Sequence, residues 1–133
     1  MNIDDIELLD TSTLHLRHPV SDAPLYTSDG QPMTIELSGE NAKEYKATTR
    51  RWQNETLRRP NRKLTAEQLE ERGLELLVVS TRNWNLEGRD GPIPFSPRVA
   101  HEIYSDPSKS WIRKQVEAHV YDDANFMGEL LTA

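Results

Sequence analysis

The chain has no cysteine, only two phenylalanines and three tryptophans in 133 residues, and no apolar run approaching the length of a membrane span. Without thiols there is neither a disulfide framework nor a thiolate metal site, which is compatible with a reducing cytosolic setting. The opening residues carry Asp4, Asp5 and Glu7 where a secretory signal needs cations, so no export is expected. Aromatics at 7 % and hydrophobics at 35 % predict a thin core. Catalytic spacings are missing too: there is no nucleophile elbow, phosphate loop, zinc-binding helix or paired-carboxylate pattern. His15 and His18 sit three apart on a predicted strand and so face opposite sides, while His101 and His119 fall on separate helices. The chain therefore reads as a non-enzyme without cofactor or metal.

Charge is what the chain has in quantity. Charged residues make up 29 % and the net charge is -6, which argues against a nucleic-acid binder as a whole-molecule property. One segment runs the other way: Lys43, Lys46, Arg50, Arg51, Arg58, Arg59, Arg62 and Lys63 lie within one predicted helix and its exit. Such a segment fits a phosphate-tracking surface, a patch meeting the acidic face of a partner or of another copy, or simply a solvated helix face. Arg58 and Arg59 also complement the helix dipole at a C-terminus, and nucleic acid is the disfavoured reading.

Residues 1–11 form an acidic arm in which Ile3, Ile6, Leu8 and Leu9 could dock elsewhere. Residues 12–133 read as a single α+β domain: a small N-terminal antiparallel β-sheet over 12–38, a helical part over 39–123 and an apolar tail over 124–133. In the sheet, Leu14 and Leu16 alternate with His15 and Arg17, Leu25-Tyr26 begins a second strand, and Met33, Ile35 and Leu37 share one side of a third. Four helices should follow. The first, over 40–59, carries a narrow stripe of Ala42, Tyr45, Thr49, Trp52 and Thr56 and is expected to cover the sheet. Thr65 and Gln68 have capping-box spacing for the second. Its run Leu74-Glu75-Leu76-Leu77-Val78-Val79 suits a buried helix or a short strand, with helix to about Arg82 favoured because no turn signal intervenes.

The stretch 83–96 organises the rest. Its glycines and prolines forbid a helix, yet Trp84, Leu86, Ile93 and Phe95 are too apolar for water, so an ordered loop is expected with Asp90-Gly91 as its turn. Trp84 and Phe95 should pin that loop to its own core. Ser96 and Pro97 then start a short helix, and Asp106-Pro107 starts the last. Trp111 opens this last helix, facing either inward or outward. The tail holds Phe126, Met127, Leu130 and Leu131 and either folds back or waits for a partner.

Taken in order, His18-Pro19, Ala23-Pro24-Leu25, Asp29-Gly30-Gln31-Pro32, Ile35-Glu36-Leu37-Ser38-Gly39, Tyr45, Trp84, Asp90-Gly91-Pro92-Ile93-Pro94-Phe95-Ser96 and Trp111 through Asn125-Phe126 resemble the tail assembly chaperone family of tailed bacteriophages and prophages. The set covers most of the chain. It departs from the family pattern at Ser21-Asp22-Ala23 and at Glu40-Asn41-Ala42, which bears on subfamily and partner. The resemblance implies a host-cytoplasmic protein that binds the tape-measure protein, keeps it soluble while tail-tube protein assembles, and is absent from the mature virion. It implies no catalytic residues; the lack of a long apolar run argues against a membrane, and the acidic balance disfavours nucleic acid as a partner. Trp111, Phe126, Met127, Leu130 and Leu131 are the partner-binding candidates, and self-association is a further expectation. The alternative is a structural virion component of the tail or head-tail connector.

Overall fold

The computed structural model describes residues 2–129. Its α+β architecture begins with a single 3-10 turn, Ile3–Asp5, capped reciprocally by Asn2 and Asp5, and then strand β1, Ile6–Leu8. Strands β2, Ser12–His15, and β3, Thr34–Leu37, follow, then helices α1, Lys43–Arg58, and α2, Ala66–Ser80. Strand β4, Thr81–Trp84, leads into two very short strands, β5, Glu87–Gly88, and β6, Gly91–Pro92. Helices α3, Pro97–Ser105, and α4, Ser110–Val120, precede the last strand, β7, Met127–Glu129.

The central sheet is antiparallel with order β2-β3-β4. Its buried residues Ile35, Leu37 and Trp84, with Leu16 just beyond β2, meet Leu74 and Leu77 of α2, Ala100, Ile103 and Tyr104 of α3, and Ile112, Val116 and Val120 of α4. The spacings of three and four on each helix put these side chains on one face. Burying each of the larger ones contributes about 1.5–3 kcal/mol, and this layer holds the domain together.

Two expectations change here. Helix α2 does not reach Arg82: it stops at Ser80, and Thr81 turns at once into extended backbone at φ -89°, ψ 125°. No glycine or proline marks the junction because a side chain makes it. The Thr81 hydroxyl donates to the Leu77 carbonyl at 2.8 Å and shares a 2.7 Å bond with the Tyr104 hydroxyl, while β4 fills the open edge of β3. The third strand of the sheet is thus β4 and not Leu25-Tyr26, whose segment forms no strand but the isolated bridges Arg17–Pro24 and Tyr26–Pro32, with the Leu25 backbone bonded to Leu16 and Met33 between them. Prolines lack the N–H that a continuous ladder needs.

Helix α1 also departs from expectation, since it buries no apolar residue and supplies none of the core cluster that covers the sheet. It lies antiparallel on α2, held by a ladder of ion pairs: Arg51 with Glu75, Glu55 with Arg72, and Glu44 with Arg82 at the far end. The Arg72 guanidinium also lies 4.9 Å from the ring centre of Trp52. The narrow stripe read in the sequence is real, with Tyr45, Thr49 and Trp52 half-buried, but it is too polar to seat on the sheet.

Candidate partner-docking surface

The 83–96 stretch is a miniature hairpin, β5 pairing with β6 through Gly88 and Gly91, with Gly91 at φ +117°, a conformation that L side chains rarely adopt. The Trp84 indole donates to the Ile93 carbonyl at 2.7 Å and meets the Phe95 ring edge-on at 5.0 Å, so both aromatics anchor the loop internally. Ser96 caps α3 as its spacing suggested, whereas Asp106 caps a single 3-10 turn, Pro107–Lys109, and α4 begins only after it, at Ser110, with no side-chain cap.

After α4 the chain turns back through a 3-10 segment, Asp123–Phe126, capped by Asp122 and braced by the Asn125 amide donating to the His119 carbonyl. This delivers Phe126 to a slot where it is 4 % exposed. One wall is His119, edge-on at 5.8 Å; the other is Gly39, where an added Cβ would fall 3.0 Å from the ring. His119 is tied to the Ser12 hydroxyl at 2.9 Å, and burial lowers its pKa, partly offset by the nearby Asp122 charge. Phe126 is therefore what locks the chain's return.

Beyond Phe126, β7 pairs antiparallel with β1, Leu8 opposite Met127 and Ile6 opposite Glu129. The Leu9 amide donates to the Phe126 carbonyl at 2.7 Å. Residues opposite one another, and two apart, share a face of the ribbon, so Ile6, Leu8 and Met127 present one exposed apolar face. Between this ribbon and the start of α1 lies an open groove of about 510 Å³. Leu8, Leu9, Phe126 and Met127 are its apolar wall. Five carboxylates line it, Asp10, Glu36, Glu40, Glu44 and Asp123, against two cations, Lys43 and Arg82. Glu44 and Arg82 neutralise each other, so the net field is negative.

The candidate residues thus fare differently. Phe126 and Met127 meet in the groove; Met127 is 41 % exposed and Phe126 is its closed end. Trp111 lies apart from them, half-buried against the domain core. Leu130 and Leu131 lie outside the described residues. The sequence drew attention to the apolar arm and the apolar tail separately; that they pair with each other has no local signal, since β1 and β7 lie at opposite ends of the chain.

At the other end of α1 the charge reverses. Arg58, Arg59 and Arg62 surround Glu55 in a shallow depression of about 350 Å³, and the Glu55 carboxylate is already engaged by Arg72. Among the described residues, no group of three His, Asp or Glu side chains is disposed to hold a metal ion, and no helix is long and apolar enough to cross a membrane. His101 is bonded to Glu71 at 2.6 Å and His15 to the Leu25 carbonyl at 2.7 Å. Compared with known proteins, the chain matches no family model, no curated protein and no solved structure.

Proposed function

We propose that this chain is a tail assembly chaperone of a bacteriophage or prophage, which captures an amphipathic helix of the tape-measure protein in the groove beside the terminal ribbon. The observation that carries the reading is the groove itself: exposed Leu8 and Met127 beside a negative rim. A helix offering leucines on one face and lysines or arginines beside them matches both features, the apolar side chains leaving water and the cations meeting Asp10, Glu36, Glu40 and Asp123. The ordered motifs of the sequence support the tail-assembly reading, and the groove supports this mode of capture. Localisation in the host cytoplasm follows from that role.

The test is co-expression of an aggregation-prone tape-measure fragment with the full chain. The fragment should stay soluble with the wild-type protein and precipitate with Leu8→Asp/Met127→Asp, a variant altered only at exposed positions. A fragment equally insoluble with and without the wild-type chain would overturn the proposal. Mass spectrometry of purified particles separates the structural alternative, because stoichiometric incorporation is incompatible with a chaperone that leaves.

A further inference from the structure

We infer that this chain associates with further copies of itself head to tail, the basic tip where α1 meets α2 seating on the acidic terminal ribbon of the next copy. Two surfaces carry the inference. At the tip, Arg58, Arg59 and Arg62 cluster around a single carboxylate that Arg72 already occupies, and none of the three makes a salt bridge among the described residues. Two large apolar side chains stand beside them in water, Leu57 at 79 % exposure on α1 and Leu69 at 57 % on α2. Leu57 directly precedes Arg58, and Leu69 lies in the first turns of α2, the half of that helix nearest the tip, where Arg72 pairs with Glu55.

The ribbon has the complementary composition. Ile3 is 88 % exposed, Ile6 and Leu8 are exposed on one face of the ribbon, Glu7 lies on its other face, and Asp4, Glu7 and Asp10 make no salt bridge among the described residues. Arginines and exposed leucines at one end of the molecule thus match carboxylates and exposed isoleucine and leucine at the other. A contact of this type buries apolar side chains while opposite charges fix its register. A nucleic-acid backbone would satisfy the arginines but leave Leu57 and Leu69 in water, which is why a second copy is the better occupant.

The two surfaces cannot meet within one molecule. The ribbon sits at the N-terminal end of α1 and the tip at its C-terminal end, about 24 Å away for a helix of 16 residues. Different patches on the two partners make the contact heterologous, so copies add in sequence until a ring closes or a filament grows. The contact shares Leu8 and Asp10 with the capture groove, so a docked copy and a captured helix compete for that end of the molecule; the mass of the chain alone tests the first and the solubility of the fragment tests the second.

Light scattering after gel filtration tests it. For the wild type, the mass should rise with concentration at low ionic strength and return to the 15.3 kDa monomer in about 0.5 M salt. Arg58→Glu/Arg62→Glu and, separately, Asp4→Lys/Glu7→Lys should each be monomeric at low salt. Asp5 is left unchanged because it accepts the Asn2 amide. An equimolar mixture of Arg58→Glu/Arg62→Glu with Asp4→Lys/Glu7→Lys should regain complexes of at least twice the monomer mass, since the unaltered tip of one meets the unaltered ribbon of the other and the two reversed surfaces are again opposite in charge. A wild type that stays monomeric at every concentration, or a mixture that stays monomeric, overturns the inference. So does a monomeric wild type whose tip instead binds a labelled oligonucleotide at low salt.

Discussion

The side chain of Ser80 is buried at the end of α2 and, among the described residues, its hydroxyl has no hydrogen-bond partner. An unsatisfied buried hydroxyl costs about 1–3 kcal/mol, and alanine is also the better helix former. Ser80→Ala should therefore be neutral or stabilising by up to ~1 kcal/mol in the urea midpoint, the opposite of the usual outcome in a core. Trp84→Phe should go the other way, losing about 1–2 kcal/mol, because it orphans the Ile93 carbonyl while keeping the edge contact with Phe95. Asp106 gives the acid dependence. Bonds from the Ser108 hydroxyl and then the Lys109 ammonium hold its pKa at about 2, below the unfolded carboxylate value. Its contribution is present above about pH 4 and is lost as pH falls through about 2. Asp106→Asn keeps the capping oxygen, so the difference in urea midpoint between pH 5 and pH 2.5 should shrink in that variant.

At the scale of elements, α1 and α2 are adjacent helices held by different physics. Helix α2 buries Leu74 and Leu77, whereas α1 buries only Thr48 and relies on its ion-pair ladder and the stack of Arg72 on Trp52. Partly exposed pairs are each worth well under 1 kcal/mol and are screened by salt. Amides of α1 should exchange faster than those of α2, and the gap should widen in about 0.5 M salt. Arg72→Ala, which removes both a pair and the stack, should cost about 1–2 kcal/mol by denaturation. The starts of α2 and α3 were legible in the sequence because capping is local: Thr65 with Gln68, Ser96 with Pro97; Asp106 with Pro107 marked only the 3-10 turn before α4. The end of α2 was not, because Thr81 leaves the helix for β3, a strand more than forty residues earlier, and no residue near Arg82 announces it. The position of α1 was misread for a related reason. Periodicity shows which side of a helix is less polar, but not whether that side is apolar enough to compete for the sheet.

Over the whole molecule, the α+β class and the inward faces of α3 and α4 could be read from composition and spacing, while the docking surface could be read only in pieces. The apolar arm and the apolar tail stood out because each is greasier than its surroundings, yet Ile6 meets Glu129 only once everything between has folded. Phe126 is the fastener. Phe126→Ala should cost about 3–5 kcal/mol and release the β1–β7 ribbon, seen as loss of protection at Leu9 while the amides of β3 stay protected. Gly39→Val should mimic it from the opposite wall, because its side chain would occupy the space of the ring.

The pairing of β1 with β7 also sets a timetable. During synthesis the first strand leaves the ribosome with its hydrogen-bonding edge bare, and its mate is translated after α1, α2, α3 and α4. For that interval the nascent polypeptide carries an unpaired, leucine-bearing edge, and Asp4, Asp5, Glu7 and Asp10 around it oppose, by like-charge repulsion, its pairing with the same edge of a neighbouring chain.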